Sequence, residues 1–384
     1  MNLAPFALER YFAGHEFSAR YLLSSSDCEG LTQQELLGMA DTKTRELWNT
    51  LKLGYTESSG HPLLRQEIAN LSKSVWPDDV LVLTPEEGIF VAMNVLLNPG
   101  DHAIVLTPAY ESLYKVAAGI GADVSRWQLE TDGVRWKLDL SFLERNVRPS
   151  TKLIVINFPH SPTGFHVNTG TLGQIIDFAK TRKLILFSDE MYRFSEYRSA
   201  DRLPGACDLY EQALTLGGLS KSFALPGLRI GWLATKDQDL MKRLRGFKDY
   251  TTICSSAPSE ILAIMALRAR DRILDRTKKI IEDNMTHAER FFARFHGHFE
   301  WIRPMAGPMA FPRLKGTDSI DRFCEKLMEK KGTMLVPGSL FEFGDNHFRI
   351  GLGRKNFQEG LEKMGEFLLE NYRLNDKDQS SKAK

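Results

Sequence analysis

The sequence predicts an α/β fold, with a large domain built on a mostly parallel sheet and a smaller α+β domain. Three observations predict it. Continuous apolar runs of four recur mid-chain: Ala103-Ile104-Val105-Leu106, Leu153-Ile154-Val155-Ile156 and Leu184-Ile185-Leu186-Phe187. Runs without polar alternation suit strands covered on both faces. Longer stretches at helical spacing lie between them, such as Thr171 to Lys183 with Leu172, Ile175, Ile176 and Ala179 on one side. Strands alternating with helices imply parallel crossovers. At 384 residues the chain exceeds one simple core, so a second unit is expected.

The elements follow in order. Segment 1–44 is expected to pack with the small domain. Residues 45–285 are assigned to the large domain and 286–374 to the C-terminal small domain. The turn Pro99-Gly100-Asp101 leads into the first run, and polar Ser150-Thr151-Lys152 into the second. A long helical tract from about Ala257 to Phe295, charged at helical spacing, carries the chain out of the large domain. Beyond it, Phe299 to Ile302, Met309 to Leu314, Met334 to Val336 and Phe348 to Ile350 read as short strands. Asp321 to Lys331 and Asn356 to Tyr372 read as helices. The polar tail 375–384 reads as disordered.

Composition narrows the function. Hydrophobic content of 42% and charged content of 26% are ordinary for a soluble globular protein. A net charge of +1 gives no basis for a nucleic-acid partner or an acidic membrane surface. No stretch reaches the ~18 apolar residues of a membrane span. Met1 to Tyr11 lacks the basic start and apolar core of a secretory signal. The cysteines, Cys28, Cys207, Cys254 and Cys324, have neither metal nor redox spacing, and His296 and His298 around Gly297 are too weak a pattern for a metal. Reduced thiols in a cytoplasmic protein are the simplest account.

Polar residues stand just after the apolar runs. Asn157 follows the second and Ser188-Asp189-Glu190 the third, while Lys221 lies a few residues past Ala213-Leu214-Thr215-Leu216. In open α/β sheets ligands bind beyond the carboxyl ends of strands. Three strands therefore aim candidate chemistry at one edge. The most informative string is Leu219-Ser220-Lys221-Ser222-Phe223, with Leu225 to Trp232 behind it. A lysine in a tight, partly apolar turn loses its proton more readily than a surface lysine. An unprotonated amine condenses with an aldehyde to a Schiff base. Arg229, eight residues on, can meet an anion. Pyridoxal 5'-phosphate (PLP) carries both an aldehyde and a phosphate.

Four motifs occur in the order of one known family. The string around Lys221 resembles the cofactor-lysine signature of the fold-type I, class I/II PLP-dependent aminotransferases. Asn157-Phe158-Pro159-His160-Ser161-Pro162-Thr163-Gly164 is similar to that family's Asn-Pro-x-Asn-Pro-Thr-Gly loop. Ser188-Asp189-Glu190-Met191-Tyr192 resembles its Asp-Glu-x-Tyr element, and Phe348-Arg349-Ile350 its C-terminal arginine strand. The likeness runs from about Leu53 to Leu369.

The resemblance implies roles. Lys221 would bind the cofactor aldehyde and later move the substrate's Cα proton. Asp189 would pair with the pyridine nitrogen, and Tyr192 would donate to the ring's phenolate oxygen. Tyr110 would stack on the ring. Arg229 and Ser220 would contact the phosphate. Tyr55, in Tyr55-x4-Gly60-x3-Leu64-Arg65, matches the segment that reaches a neighbouring subunit's phosphate site, which implies a homodimer with shared sites. Arg349 would grip the substrate α-carboxylate.

Several positions depart from the family. Ser161 replaces the asparagine before Pro-Thr-Gly and would reach the ring oxygen through water, or Asn157 would help. Gly218 replaces a phosphate-binding serine. Thr84-Pro85-Glu86-Glu87 replaces a Gly-rich turn at a helix N-terminus. Thr84 and the N–H groups around Pro85 are expected to bind the phosphate, with Glu86 or Glu87 turned elsewhere. The polar run Ser24-Ser25-Ser26-Asp27-Cys28-Glu29 replaces an apolar segment. It reads either as a selector of polar substrates, with Ser26 and Asn157 as contacts, or as a cap for a helix from Leu31.

The reading implied is a PLP-dependent aminotransferase moving an amino group from an amino acid to a 2-oxo acid by ping-pong half-reactions. A PLP lyase or a cyclase of the capreomycidine synthase kind shares the same carbanion chemistry. A non-catalytic PLP-binding regulator is the rival of another class. Intact Lys221, Asp189 and Arg349 weigh against it, as do the roughly forty residues before the large domain, too few for a helix-turn-helix.

Overall fold

A computed structural model describes residues 1–317 and 319–372. The tail assigned to 375–384 lies outside the described residues. The centre is a seven-stranded sheet of β1 (Val80–Leu83), β2 (His102–Thr107), β3 (Asp123–Gln128), β4 (Thr151–Asn157), β5 (Ile185–Asp189), β6 (Ala213–Gly218) and β7 (Gly231–Ala234). Their spatial order is β1-β7-β6-β5-β4-β2-β3. Strands β3, β2, β4, β5 and β6 pair in parallel, while β7 runs antiparallel between β6 and β1.

The apolar runs are continuous because the sheet is covered on both sides. Successive side chains of a strand face opposite ways. Val80, Val82, Ile104, Leu106, Ile154, Ile156 and Leu186 enter one core. Their neighbours Leu81, Leu83, Ala103, Val105, Leu153, Val155 and Phe187 enter the other. Burial of such side chains stabilises by about 1.5–3 kcal/mol each. The polar groups Asn157 and Asp189 stand where β4 and β5 run out.

Three helices border the site: α1 (Ala7–His15), α2 (Pro85–Leu96) and α3 (Ser112–Ile120). The tract expected to be one long helix is two, α4 (Ala257–Arg268) and α5 (Arg270–Arg294), separated at Ala269. The first is apolar nearly all round because it lies in the core. The second buries a stripe of Ile273, Thr277, Ile281, Met285, Ala288 and Phe292.

A third core joins Leu23 and Cys28 to Ile281, Phe292, Phe323, Phe348, Met364 and Phe367. The expected strand at 309–314 is two short pieces, Met309–Ala310 and Arg313–Leu314, around Pro312. A proline has no N–H for a ladder. The N-terminal segment pairs in parallel with this region, Tyr21 opposite Thr333 and Leu22 opposite Met334.

Candidate active site

Register explains the convergence of the polar groups. Asn157 lies opposite Asp189, so β4 and β5 end level, and Asp189 lies opposite Leu216, with β6 running on to Gly218. Antiparallel β7 starts where β6 ends, with Gly231 opposite Gly218, which returns Arg229 to the same edge. The Lys221 turn is fixed by backbone bonds from Leu219 N–H to Ile230 O and from Leu225 N–H to Leu219 O, both 3.0 Å. Its Nζ donates to Ser26 Oγ at 2.8 Å.

Asp189 is buried, and its Oδ1 accepts the Met191 N–H at 3.1 Å. Burial pushes its carboxyl up to about 7, against the pull of that N–H and of Lys221. Asn157 is committed to backbone. Its Nδ2 donates to Asp189 O at 2.9 Å and its Oδ1 accepts the Ser161 N–H at 2.7 Å. Asn157 thus ties the β5 terminus to the loop carrying Ser161. Tyr192 is buried.

Tyr110 follows β2. Its hydroxyl donates to Glu9 Oε1 on α1 at 2.8 Å, and its ring lies 4.9 Å from that of Phe6. Burial, then Glu86 and Glu9, raise its pKa strongly.

The phosphate end departs from the expectation in an ordered way. Thr84 caps α2, accepting the Glu87 N–H, while Glu87 reaches back to the Thr84 N–H. Glu87 also accepts a hydroxyl from Thr252 at 2.7 Å, so it is the glutamate turned away. Glu86 is not. Its Oε2 accepts the Ser112 hydroxyl at 3.1 Å, and burial pushes its carboxyl up to about 7, with Asp189 and Arg229 also acting on it.

Pro85 has no N–H. Its ring fills the space beside β6 and β7. A Cβ on Gly218 would meet Met191 at 2.9 Å and Pro85 Cγ at 3.1 Å, and one on Gly231 would meet Pro85 Cγ at 2.8 Å. The loss of a serine at 218 and the gain of a proline at 85 are therefore one spatial change. Ser220 Oγ is buried without a hydrogen-bond partner. Arg229 is exposed and donates to Pro226 O at 3.0 Å. Tyr55 is 92% exposed.

The polar N-terminal run does not cap the following helix. That helix, Gln33–Leu37, is capped by Thr32 through a reciprocal box with Glu35. The run instead lies over Arg349. Arg349 Nε and Nη2 donate to Ser24 O at 3.1 and 2.8 Å. Its guanidinium carbon sits 5.6 and 5.4 Å from the rings of Phe12 and Phe341. Arg354, which sequence reasoning missed, donates to Ser25 Oγ and to Asp27, each at 3.1 Å. The approach needs glycine. A Cβ on Gly351 would fall 1.8 Å from Ser25 O, and one on Gly353 2.1 Å from Asp27 O. Glu9 was also missed, since nothing around it in sequence marks it apart from other helix-surface glutamates.

The family model for class I and II aminotransferases matches residues 21–363, and the chain belongs to that family. Capreomycidine synthase from Streptomyces vinaceus is 30% identical over 367 residues, covering 94% of this chain and 93% of that protein. A PLP-dependent aminotransferase from Streptococcus suis superposes with a TM-score of 0.90 at 30% identity, over 98% of this chain and all of that one. The PLP-dependent cyclase OrfR superposes at 0.87 and 26% identity, over 96% of this chain and 98% of that one. The fold is thus that of fold-type I PLP enzymes, and PLP is the cofactor. The residues present suit it: an amine at Lys221, a buried carboxyl at Asp189, and for phosphate the unpartnered Ser220 hydroxyl. Among the described residues no helix is long and apolar enough to cross a membrane.

Proposed function

We propose that this chain is a PLP-dependent aminotransferase acting on an amino acid and a 2-oxo acid. One arrangement carries the reading. The Lys221 amine and the Arg349 guanidinium meet the same short segment, at Ser26 Oγ and Ser24 O. An amino acid held by its carboxylate at Arg349 would thus present its Cα to Lys221.

Each residue then has a task. Arg349, buried between two aromatic rings, would bind the carboxylate as a two-pronged pair. Lys221 would anchor the cofactor aldehyde and, once displaced, carry the proton from Cα. Asp189 would hold the proton of the ring nitrogen, its cost of ionising in a buried site offset by the opposite cation. Asn157 would keep Asp189 in place through its backbone carbonyl. Tyr192 would donate to the ring's phenolate oxygen. Phosphate would be met by Ser220, Thr84, the Glu86 N–H and Arg229. When bound, the pyridinium ring supplies the electron sink that stabilises the carbanion at Cα. Tyr55, an exposed aromatic, supports a homodimer in which it reaches the partner's site.

A second reading is an amino-acid cyclase, favoured by the likeness to capreomycidine synthase along 94% of the chain. The test is a single half-reaction without 2-oxo acid, followed by cofactor absorbance. Stoichiometric conversion to the amine form of the cofactor with release of a 2-oxo acid supports transamination. Turnover without such conversion, giving a cyclic product that equals the substrate less the elements of its β-leaving group (water, where that group is a hydroxyl), rejects transamination and supports the cyclase.

A further inference from the structure

One short stretch of chain meets three cations of the site. Arg349 donates to Ser24 O, and Arg354 to Ser25 Oγ and Asp27 Oδ1. Between these anchors, Ser26 Oγ accepts a hydrogen bond from Lys221 Nζ at 2.8 Å. Among the described residues this is the only hydrogen bond that the amine makes. Of the polar run Ser24 to Glu29, Ser26 is the member whose side chain reaches the lysine.

Ser26 does not hold its own segment in place. The backbone is fixed on both sides of it. Gly351 N–H donates to Leu23 O at 2.8 Å, and Glu29 N–H to Gly353 O at 2.7 Å. The segment lies so close to the end of the strand Phe348–Gly351 that neither Gly351 nor Gly353 has room for a Cβ. Ser24, Ser25 and Asp27 meet the two arginines through a carbonyl, a hydroxyl and a carboxylate. The Ser26 hydroxyl is thus carried on an anchored backbone, and its one partner among the described residues is the Lys221 amine.

A cofactor lysine has two tasks. It anchors the aldehyde, and once the substrate's amine has displaced it, it carries the Cα proton. In the second task nothing covalent holds the amine, which ends a flexible four-carbon stem. A hydroxyl placed by main-chain contacts limits that freedom. Arg349 meets the same segment two residues earlier. The amine is therefore tied to the segment that also meets the group assigned to the carboxylate.

We propose that Ser26 is a positioning residue for proton transfer: its hydroxyl holds the displaced Lys221 amine close to the Cα of an amino acid bound at Arg349. The proposal rests on the roles given to Lys221 and Arg349 above. When the Cα–H bond breaks, its electron pair stays with the carbon and is drawn toward the cofactor ring. The proton forms a new N–H bond on Nζ, and the resulting ammonium keeps one N–H on Ser26 Oγ. Ser26 itself gains and loses no proton. As an acceptor it engages an N–H and leaves the lone pair of the neutral amine free to meet the Cα proton.

The test uses the cofactor-loaded protein and its Ser26→Ala and Ser26→Thr variants. Each is incubated in heavy water with a mixture of the common amino acids, and mass spectrometry reads deuterium entering at Cα. The amino acid that the unaltered protein exchanges fastest is then titrated alone. Ser26→Ala is expected to slow exchange at saturation by about tenfold or more. The half-saturating concentration should change by less than about twofold, as for a group that acts on the transfer and not on binding. Ser26→Thr keeps the hydroxyl and should recover exchange to within about threefold of the unaltered rate. Both variants should keep the borohydride-reducible cofactor link and the melting temperature, because other atoms anchor the segment. Exchange by Ser26→Ala at the unaltered rate overturns the proposal. Weaker binding with unchanged exchange at saturation overturns it too, and makes Ser26 a substrate contact. An equal loss in the alanine and threonine variants assigns the residue to packing and rejects the role of its hydroxyl. If the unaltered protein exchanges no amino acid, the proton-carrying role of Lys221 is itself rejected and the proposal falls with it, a result distinct from a failure at Ser26 alone.

Discussion

The floor of the site and its rim are built in opposite ways. The floor is Asn157, Asp189 and the Lys221 turn, at the ends of adjacent buried strands in register. The rim is Glu9, Ser24 to Asp27, Glu86, Arg349 and Arg354, drawn from both ends of the chain. One of its bonds, Arg349 to Ser24, spans 325 residues. The floor is held by a sheet that cannot shift without unpacking two cores. The rim is held by a few hydrogen bonds and by backbones that touch only because Gly351 and Gly353 lack side chains. Floors of this kind serve a chemistry common to a family, while rims can change the substrate without disturbing it.

The largest expected effect is on the floor. Lys221→Ala should abolish the borohydride-reducible cofactor link and lower turnover by about 10²–10⁴-fold or more. Near-normal turnover would reject the assignment. On the rim, Arg349→Ala should weaken amino-acid binding by about 10- to 100-fold while the cofactor stays bound, a loss in line with hydrogen bonds to a charged group. An unchanged KM with a fallen kcat would place Arg349 elsewhere in the mechanism.

Gly351→Ala separates the two regions further. Its Cβ would collide with Ser25 O, so about 1–3 kcal/mol of stability should be lost as the segment is pushed off its strand. Thermal melts measure the loss, and amino-acid binding should weaken more than cofactor binding. A variant with unaltered melting and binding would show that the rim does not need this contact.

The smallest effect is electrostatic. Burial raises the Asp189 carboxyl to about 7, whereas in the unfolded chain it would titrate near pH 4, roughly the reference value. The cofactor-free fold therefore holds a proton that the unfolded chain releases. This contribution is full below about pH 4 and is lost as pH rises toward about 7. Asp189→Asn should flatten the fall in melting temperature of the cofactor-free protein across that window. The slope should not vanish, because Glu86 and Glu260 are raised to about 7 as well. Identical slopes in the two proteins would count against a buried, proton-holding Asp189.

Much of the floor is legible in the amino-acid sequence. Lys221, Asp189 and Asn157 each follow an apolar run, and a run buried on both faces can end only where polarity is allowed. The fold follows from the same alternation of runs and helical stretches. Less of the rim is legible. Thr84 and the neighbourhood of Pro85 stand out as a departure, yet nothing in the order of residues says that Pro85 and Gly218, far apart in the chain, share one space. The polar run at Ser24 admits two readings, and the capping one fails because Thr32 has the better-spaced partner in Glu35. Glu9 carries no signal at all.

Local sequence thus determined the strands, their polar ends and the chemistry placed there, because burial and strand geometry act over a few residues at a time. Tertiary structure alone decided which distant groups face each other over Lys221. That depends on close approaches at two glycines, which are defined only once the whole chain has packed.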